Sequence, residues 1–519
     1  MRNDIKLLDC TLRDGAHLNK GRFGKKVITE TIAGLVQAKL DIVEIGFFNN
    51  APYDENTSYF NSIAAAKTVL PEEKGTTKFS LMADFVDVSQ IEPCDGTIDI
   101  FRLSFKRSRL DWALDAARTL MDKGYKVYIN PVNCNVYTDA EYLNVIEKVN
   151  QLKPYGFSIV DTFGVLRKET LSRIYYLLEG NLDPEITIGL HLHENLGLSY
   201  SLAQHFLEIR NPKRNVTVDC SLLGMGRVPG NLCTEQIMDH LNIYMGREYN
   251  TEPALDMIDD YIAPIKRDIP WGYSIPYALS GKYGVHRTYA EFLMGKHRLK
   301  TKDIQRILSM IDKDHIENFD EAYIEMLYRQ YVSVECRDGD AVCELTKQLQ
   351  GKNIMIICPG SSINRHQSEI VAYAQQAGTA VISVNFVPDF VTPDFVFCGN
   401  AKRAHNLRHA GSARIFTTSN VLEPPCDVDY VFSFNDSVYF SEVFCEDSTV
   451  MLLKILSRCC VSSVAVAGFD GFAEGAVNYY KESYTQEQGV FVGTKTICHI
   501  LKESLKGMQF CFLTPSAYE

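Results

Sequence analysis

The stretch "LLDCTLRDGAHL", residues 7–18, starts as an apolar run and continues into hydrogen-bonding and ionisable side chains. Its apolar start is typical of a buried strand, which the pattern predicts over 5–11 ("IKLLDCT"). Arg13, Asp14 and His17 follow directly after that run. Polar and ionisable side chains at the end of a buried strand predict a functional site at that end.

Seven further apolar runs follow within the first 240 residues, with amphipathic helical patterns between them. The predicted strands are 41–48, 78–85, 98–105, 126–133, 156–164, 186–195 and 215–224. Eight strands that alternate with helices favour a parallel (β/α)8 TIM barrel, and a doubly wound open sheet is the alternative.

Polar residues recur where these runs end. They are Asp14, Glu44, Asp84, Asn130, Asn133, Asp161, His191 and His193. Because the active sites of parallel barrels lie at the C-terminal ends of the strands, this pattern predicts one shared site. The alternative is an even scatter of polar residues over both ends of the strands.

The composition is that of an ordinary globular protein, and 519 residues are too many for one core. The net charge of −12 argues against nucleic acid as a partner. The chain has no apolar stretch of membrane-spanning length and no signal-peptide pattern at its start, so we expect a cytoplasmic protein without a membrane partner. The 15 cysteines include no C-x-x-C pair, which favours reduced thiols.

Three regions are predicted along the chain: a barrel over 1–290, a helical connector over 291–337 and a second α/β domain over 338–519. The second domain carries buried-strand patterns at 353–360, 379–386, 393–399, 413–419, 429–434 and 463–470. Their alternation with helical segments predicts an open, Rossmann-like sheet.

The stretch "HLHEN" begins at His191 and lies in the seventh predicted strand of the barrel. Side chains two positions apart in a strand point the same way, so His191 and His193 share a face. Asp14 lies at the mouth of the first strand, and the two strands are near neighbours in an eight-stranded barrel. Two imidazoles and a carboxylate predict a divalent transition-metal site, whereas two core histidines with backbone or hydroxyl partners are the alternative.

Five segments carry a resemblance to a known superfamily. They are "DCTLRDG" (9–15), "VEIGFF" (43–48), "VDTFG" (160–164), "HLHENLG" (191–197) and "GMGRVPGNLCTEQ" (224–236). The likeness spans about residues 1–290. Together the five segments resemble the metal-dependent barrels that include hydroxymethylglutaryl-CoA lyase, 2-isopropylmalate synthase, homocitrate synthase and 4-hydroxy-2-oxovalerate aldolase. The resemblance implies a divalent metal, with Mn²⁺ expected and Mg²⁺ or Co²⁺ as alternatives, and a homodimer.

The resemblance also implies roles for individual residues. Asp14, His191 and His193 match the metal ligands, and Asn231 matches a further ligand of some relatives. Arg13 matches the arginine that binds the substrate's oxygens and stabilises an enolate, as a guanidinium fork can. A salt bridge to a carboxylate at the barrel mouth is the alternative for this arginine.

His17 separates the branches of the superfamily. The synthases and CoA lyases continue R-D-G with one residue and a glutamine, whereas this chain reads R-D-G-A-H, like the 4-hydroxy-2-oxo acid aldolases. In those aldolases the histidine acts as a base, a role that imidazole suits near neutral pH, and a surface-loop histidine is the alternative.

Further substrate-facing roles are assigned within the same resemblance. Glu44, Asp161 and Thr162 are assigned to substrate binding. "WGYSIPYALSG" (271–281) loosely resembles the segment that supplies an acid–base tyrosine, which selects Tyr277 before Tyr273. Packing aromatics are the alternative for both.

These residues predict a metal-dependent aldolase that cleaves a 4-hydroxy-2-oxo acid into pyruvate and an aldehyde, or runs the reverse addition. One alternative is a Claisen-type synthase or CoA-ester lyase of the same superfamily. Another is a barrel that binds metal and ligand without chemistry. A Schiff-base aldolase would need an activated lysine, for which Lys106 is the candidate.

The second domain has neither a dinucleotide fingerprint nor a P-loop. It loosely resembles Rossmann-like domains of the glycosyltransferase-related and pterin-pyrophosphokinase-like kinds, which implies a nucleotide or nucleotide-sugar ligand. The candidate residues are Gly360, Ser361, Ser362, Asn385 and Asp470. A regulatory or assembly domain is the alternative. Known hydroxy-oxovalerate aldolases instead end in a short helical module that docks a dehydrogenase, so this chain departs from them here.

Overall fold

Parallel strands form the centre of both parts of the chain in the computed structural model, which describes residues 5–440, 444–471, 479–480 and 493–519. The chain divides into two compact units, with Arg287 ending the first and Thr288 beginning the second. The helices of the predicted connector, 291–337, fall within the second unit.

Eight parallel strands close into a barrel in the first unit. They are Ile5–Asp9 (β1), Ile42–Phe48 (β2), Lys78–Asp84 (β3), Ile100–Phe105 (β4), Lys126–Pro131 (β5), Gly156–Asp161 (β6), Thr187–Leu192 (β7) and Val216–Cys220 (β8). Each strand pairs with the next along the chain, and β1 pairs with both β2 and β8, which closes the sheet. The predicted TIM barrel is therefore confirmed. A two-residue strand, Tyr59–Phe60, extends alongside β2.

Helices follow seven of the eight barrel strands, and 85–99 joins β3 to β4 without one. In chain order they are Lys25–Gln37, Ile63–Lys67, Leu110–Asp122, Asp139–Leu152, Lys168–Asn181, Ser199–Ile209 and Thr234–Met245. Shorter helical segments of this unit are Thr11–Asp14, Ala16–Asn19, Arg107–Arg109, Cys134–Val136, Leu222–Gly224, Glu252–Met257, Ile258–Ile262, Ala263–Asp268 and Ile275–Tyr283.

Asp139–Leu152 shows how the sequence specifies one of these helices. Thr138 and Glu141 form a reciprocal capping box at its start. Tyr142, Val145, Ile146 and Val149 bury one stripe against the barrel at the spacing of a helical face. The helix ends at Lys153, whose backbone is left-handed with φ 53°.

Six of the eight barrel strands end earlier than the sequence predicted, whereas β2 and β4 end where it predicted, at Phe48 and Phe105. The first predicted strand ran through residue 11, but it stops at Asp9. The Asp9 carboxylate accepts a hydrogen bond from the Thr11 backbone at 2.9 Å, and Thr11–Asp14 then forms one helical turn. That turn brings Arg13 and Asp14 to the mouth of the barrel.

The second unit begins with helices and continues into an open parallel sheet, as predicted. Its strands are Asn353–Ile357 (β9), Thr379–Val384 (β10), Phe395–Cys398 (β11), Arg414–Thr418 (β12), Tyr430–Phe432 (β13), Ser463–Ala467 (β14) and Gln509–Phe512 (β15). The spatial order is β13-β12-β11-β10-β9-β14-β15. The edge strand β15 was not predicted, because its four residues carry little pattern of their own.

The helical segments of the second unit are Thr288–Gly295, Thr301–Leu308, Lys313–His315, Glu321–Val332, Gly339–Leu349, Ile363–Ala374, Ala401–His409, Phe434–Ser437, Ser448–Arg458, Thr494–His499 and Ile500–Ser504. Two short antiparallel strands, Tyr439–Phe440 and Phe444–Cys445, pair with each other. Within the described ranges, no helix has both the length and the apolar character of a membrane span.

Candidate metal centre

Asp14, His191 and His193 meet at the C-terminal mouth of the barrel. One ligand-type atom from each lies within 4.8 Å of the others, and all three residues are buried. The His193 Nε2 atom lies 3.7 Å from Asp14 Oδ2. The end of β7 and the turn after β1 thus bring together the three residues that the sequence selected.

Both histidines are oriented through their Nδ1 atoms. His191 Nδ1 lies 3.0 Å from the Asp219 carboxylate, and His193 Nδ1 lies 2.9 Å from the Asp161 carbonyl oxygen. Both partners are acceptors, so Nδ1 carries the proton and Nε2 keeps its lone pair. Burial lowers the pKa of His191, which favours the neutral ring that a metal requires.

Among the described residues, the buried acceptor atoms His193 Nε2 and Asn231 Oδ1 have no hydrogen-bond partner. The Asn231 amide nitrogen donates to Asp14 Oδ2 at 2.6 Å, which holds the side chain beside the cluster. Unsatisfied buried acceptors are costly, and a cation would satisfy both of these. One carboxylate, two imidazoles and an amide oxygen form a donor set that fits a divalent transition ion.

Arg13 joins the cluster to a second carboxylate. Its Nη1 atom lies 2.5 Å from Asp14 Oδ1, and its Nε atom lies 2.7 Å from Glu44 Oε2. Burial alone would raise the pKa of Asp14, but Arg13 and the two histidines hold that pKa well below its usual range. Asp14 is therefore a carboxylate anion at neutral pH, the form that a metal ligand requires.

A chain of buried charges runs from Arg13 through Glu44 to His191, and two of its members, Arg102 and Asp219, were missed by the sequence analysis. Arg102 Nη1 lies 3.1 Å from Glu44 Oε2, and its Nη2 atom contacts the Asp219 carboxylate. Asp219 in turn orients His191. The available signals were an arginine inside the apolar run of β4 and an aspartate near the end of β8. Neither predicts a partner by itself.

His17 lies at the edge of the metal cluster with 42% of its side chain exposed. Its Nε2 atom is 3.8 Å from Asp14 Oδ1, and its ring meets the Phe47 ring edge-on with 5.7 Å between centroids. Desolvation lowers the pKa of His17 to about 4. The ring is therefore neutral near pH 7 and accessible from solvent.

The three residues assigned to substrate binding engage other protein groups. Glu44 is fully buried between two arginines. Asp161 accepts from two backbone N–H groups at 2.9 and 3.1 Å, and burial raises its pKa to about 6. Thr162 accepts a hydrogen bond from the Asn133 backbone at 2.8 Å. Their contact with substrate stays a prediction.

The remaining candidates of the barrel lie in different environments. Asn195 donates to the Tyr277 carbonyl at 3.3 Å, and Tyr273 is 61% exposed. Lys106 is exposed just after β4. Asn130, near the end of β5, is buried, and neither polar atom of its amide bonds to any residue that the structure describes.

In the second unit, the candidate ligand residues contact one another. The Asp470 carboxylate accepts from the Ser362 backbone at 2.7 Å and from the Ser362 hydroxyl at 2.5 Å, and Ser361 Oγ lies 3.4 Å away. A Cβ atom on Gly360 would lie 2.3 Å from the Gly468 carbonyl oxygen, so only glycine fits there. Asn385 follows β10 and lines the same cavity as Gly360 and Asp470.

Comparisons with known proteins give several matches. The family described as HMGL-like matches residues 4–259. A 4-hydroxy-2-oxovalerate aldolase from Geobacillus genomosp. 3 is 22% identical over 276 residues, which are 49% of this chain and 78% of that protein. A 2-isopropylmalate synthase from Ruminiclostridium cellulolyticum is 25% identical over 255 residues, 47% of this chain and 49% of that protein. This chain thus spans about half the length of that synthase. The solved HMG-CoA lyase of Bacillus subtilis matches with 15% identity and a TM-score of 0.40, over 52% of this chain and 95% of that one.

Proposed function

We propose that this barrel, whose residues 4–259 match the family described as HMGL-like, is a divalent-metal-dependent aldolase. Its substrate would be a 4-hydroxy-2-oxo acid, split into pyruvate and an aldehyde, or assembled from them in reverse. The observation that supports this choice is His17, an exposed and neutral imidazole 3.8 Å from the Asp14 carboxylate. The aldolase relative, at 22% identity, supports the same choice.

Asp14, His191, His193 and Asn231 would hold the ion, for which Mn²⁺ is our proposal. When bound, it supplies Lewis acidity at the 2-oxo acid, where negative charge develops during cleavage. Asp219 and the Asp161 carbonyl oxygen keep the two imidazoles in the ligating tautomer.

His17 is the proposed base. In the cleavage direction it removes the proton of the C4 hydroxyl, the electron pair of that O–H bond forms the aldehyde C=O, and the C3–C4 bond breaks. The electron pair of the C3–C4 bond passes to the enolate of pyruvate, whose C3 takes up a proton from solvent to become the methyl group, and His17 returns its proton to solvent. Desolvation keeps the imidazole unprotonated at neutral pH, so its lone pair is available for this proton.

Arg13 is the proposed stabiliser of the developing oxyanion. Glu44 and Asp14 hold its guanidinium at the barrel mouth at 2.7 and 2.5 Å. A cation fixed in a buried site stabilises new negative charge without reorganisation. Glu44 would then act on substrate through Arg13, since its Oε2 atom already contacts two arginines.

The decisive test combines two measurements on the full chain with Mn²⁺. The first follows exchange of pyruvate methyl protons with deuterated solvent, and the second follows pyruvate release from 4-hydroxy-2-oxo acids of different chain length. His17→Ala should slow release by about 10²- to 10⁴-fold, the usual contribution of a general base. Metal binding by the same variant should be unchanged.

His205→Ala is the matched control, because His205 bonds Ser172 on the outer helices and lies away from the metal ligands. It should leave both rates unchanged. If the unaltered chain neither exchanges pyruvate protons nor cleaves any member of the series, the aldolase proposal is wrong. If the His17→Ala variant no longer binds the metal, His17 is itself a ligand.

A Claisen-type synthase or CoA-ester lyase is the second candidate. The similarity to a 2-isopropylmalate synthase at 25% identity favours it. Condensation of an acyl-CoA with a 2-oxo acid, measured as release of free CoA thiol, separates it from the aldolase. Metal binding without either reaction would support a barrel that only binds ligands.

A further inference from the structure

Asn130 places a buried amide inside the barrel. Only 2% of the residue is exposed, and neither Oδ1 nor Nδ2 bonds to any residue that the structure describes. Tyr128, two positions earlier on β5, has its hydroxyl oxygen 2.7 Å from that of Thr217 on β8. Because β5 and β8 are not neighbours in the sheet, that bond crosses the barrel. This face of β5 therefore points inward, and Asn130 shares it on the side of the C-terminal mouth.

Asn133 adds a second amide at the same end of β5. It follows the strand by two residues, is 5% exposed, and its Oδ1 atom bonds to no described residue. Its backbone N–H donates to the Thr162 hydroxyl at 2.8 Å, which ties this loop to the end of β6. Two asparagines thus bring amide oxygens without a described partner to the barrel mouth.

The hydrogen-bonding capacity of these amides specifies what a ligand must offer. Each Oδ1 atom needs a donor, the Nδ2 atom of Asn130 needs an acceptor, and a buried polar group without a partner costs free energy. The ketone and carboxylate oxygens of a 2-oxo acid only accept. Its one donor is the C4 hydroxyl, whose proton His17 removes in the proposed reaction. A substrate that satisfies the amides therefore needs further hydroxyl groups.

The position of β5 selects the aldehyde half of the substrate for these contacts. The residues proposed to act on the 2-oxo acid end, Arg13 and the metal ligands, lie after β1 and at the end of β7. In the closed sheet β5 stands opposite β1 and two strands from β7. Since neighbouring strands are about 4.8 Å apart, β5 and β7 are about 10 Å apart. The carbon chain leads from the 2-oxo acid toward its aldehyde end, which is the half that reaches β5.

We propose that the aldehyde half of the substrate is hydroxylated, and that the amides of Asn130 and Asn133 bind its hydroxyl groups. This inference rests on the aldolase function proposed for the barrel. The substrate class is then a 4,5-dihydroxy-2-oxo acid or a longer polyhydroxylated homologue. Its C3–C4 bond breaks as described above, and the products are pyruvate and a 2-hydroxyaldehyde. Neighbouring hydroxyls can donate to Oδ1 and accept from Nδ2 of one amide.

The test compares two substrates in which a methyl group replaces a hydroxyl. 4,5-Dihydroxy-2-oxopentanoate yields glycolaldehyde, whereas 4-hydroxy-2-oxohexanoate yields propanal. Pyruvate release by the full chain with Mn²⁺ gives kcat/KM for each acid. We expect a preference of at least about tenfold for the dihydroxy acid, because the methyl analogue leaves the buried amides without partners.

Asn130→Leu should lower kcat/KM for the dihydroxy acid by about tenfold and change that for the methyl analogue much less. Exchange of pyruvate methyl protons involves no aldehyde and should be unchanged. The free energy of unfolding in urea without substrate should not fall, since the variant removes a buried amide that has no described partner.

Asn181→Leu is the matched control, because Asn181 is exposed at the end of the outer helix Lys168–Asn181. It should keep the substrate preference of the unaltered chain. Asn133→Gly is the second variant should Asn130→Leu not fold, since glycine adopts the φ of 59° at this position without strain. It should lower the preference about threefold.

The outcomes separate this inference from the function on which it rests. If the chain exchanges pyruvate protons but does not reach the tenfold preference, the aldolase proposal stands and this inference is wrong. If folded Asn130→Leu keeps the full preference, or Asn133→Gly keeps it when Asn130→Leu does not fold, water satisfies the amides and the inference is again wrong. If the chain neither exchanges pyruvate protons nor cleaves either acid, the proposed function is wrong and this inference falls with it.

Discussion

Asp219→Asn tests the buried charge chain behind the metal cluster. A single oxygen of this carboxylate contacts both His191 Nδ1, at 3.0 Å, and the Arg102 guanidinium. The amide oxygen of asparagine can still accept from both donors, but it carries no negative charge, so both hydrogen bonds lose the anion that strengthens them. His191 would lose the charge that orders its ring, and Arg102 would keep only Glu44 as a carboxylate partner.

Asp219→Asn should lower both the affinity for metal and the free energy of unfolding. Removing an outer partner of a ligating histidine weakens metal binding by about 10- to 100-fold. Breaking one member of a buried ion pair lowers the free energy of unfolding by about 3–5 kcal/mol. Competition with a chromogenic chelator measures the Mn²⁺ affinity, and urea unfolding without metal measures the stability.

Asp115→Asn is the control, because Asp115 makes an exposed pair with Arg118 and its side chain is 76% exposed. It should change the free energy of unfolding by less than about 1 kcal/mol and leave the Mn²⁺ affinity unaltered. If Asp219→Asn binds Mn²⁺ as tightly as the unaltered chain, the carboxylate does not position His191 and the reasoning is refuted.

Three further predictions concern pH and packing. Burial raises the pKa of Asp9 to about 6, above its unfolded value of 3.8, so its contribution to stability is present below about pH 4 and is lost as pH rises through 6. Asp9→Asn should flatten that interval of the stability–pH curve, and an unchanged slope would contradict this. Burial alone would raise the pKa of Asp338, but Arg458 holds it below its usual value. The ion pair therefore stabilises the fold above about pH 4, and this stabilisation is lost as the pH falls further. In Arg458→Gln, thermal melts should no longer show this loss of stability at acid pH. Gly226→Ala should abolish Mn²⁺ binding measured by calorimetry, since its Cβ would lie 2.5 Å from Asp14 Oδ2, and retained affinity would contradict the placement of the site.

The sequence predicted those parts of the barrel that depend on local pattern. Apolar runs alternating with amphipathic helices identify parallel strands, because the burial of a strand or helix is expressed within a few neighbouring residues. His191 and His193 could be paired for the same reason, since their separation by two residues sets a common face. The strand ends were less predictable: Asp9 stops β1 two residues early by capping the turn that follows.

Only the tertiary structure decided which polar groups face one another. Arg102 and Asp219 stand 117 residues apart in the chain, and Arg102 and Glu44 stand 58 apart. Glu44 was assigned to substrate binding from the sequence, and the fold adds two arginines as its partners. Asp470 and Ser362, 108 residues apart, meet for the same reason. A carboxylate at a strand end has the same local pattern whether it faces a ligand, a metal or a guanidinium, and the closure of each sheet determines which of them it meets.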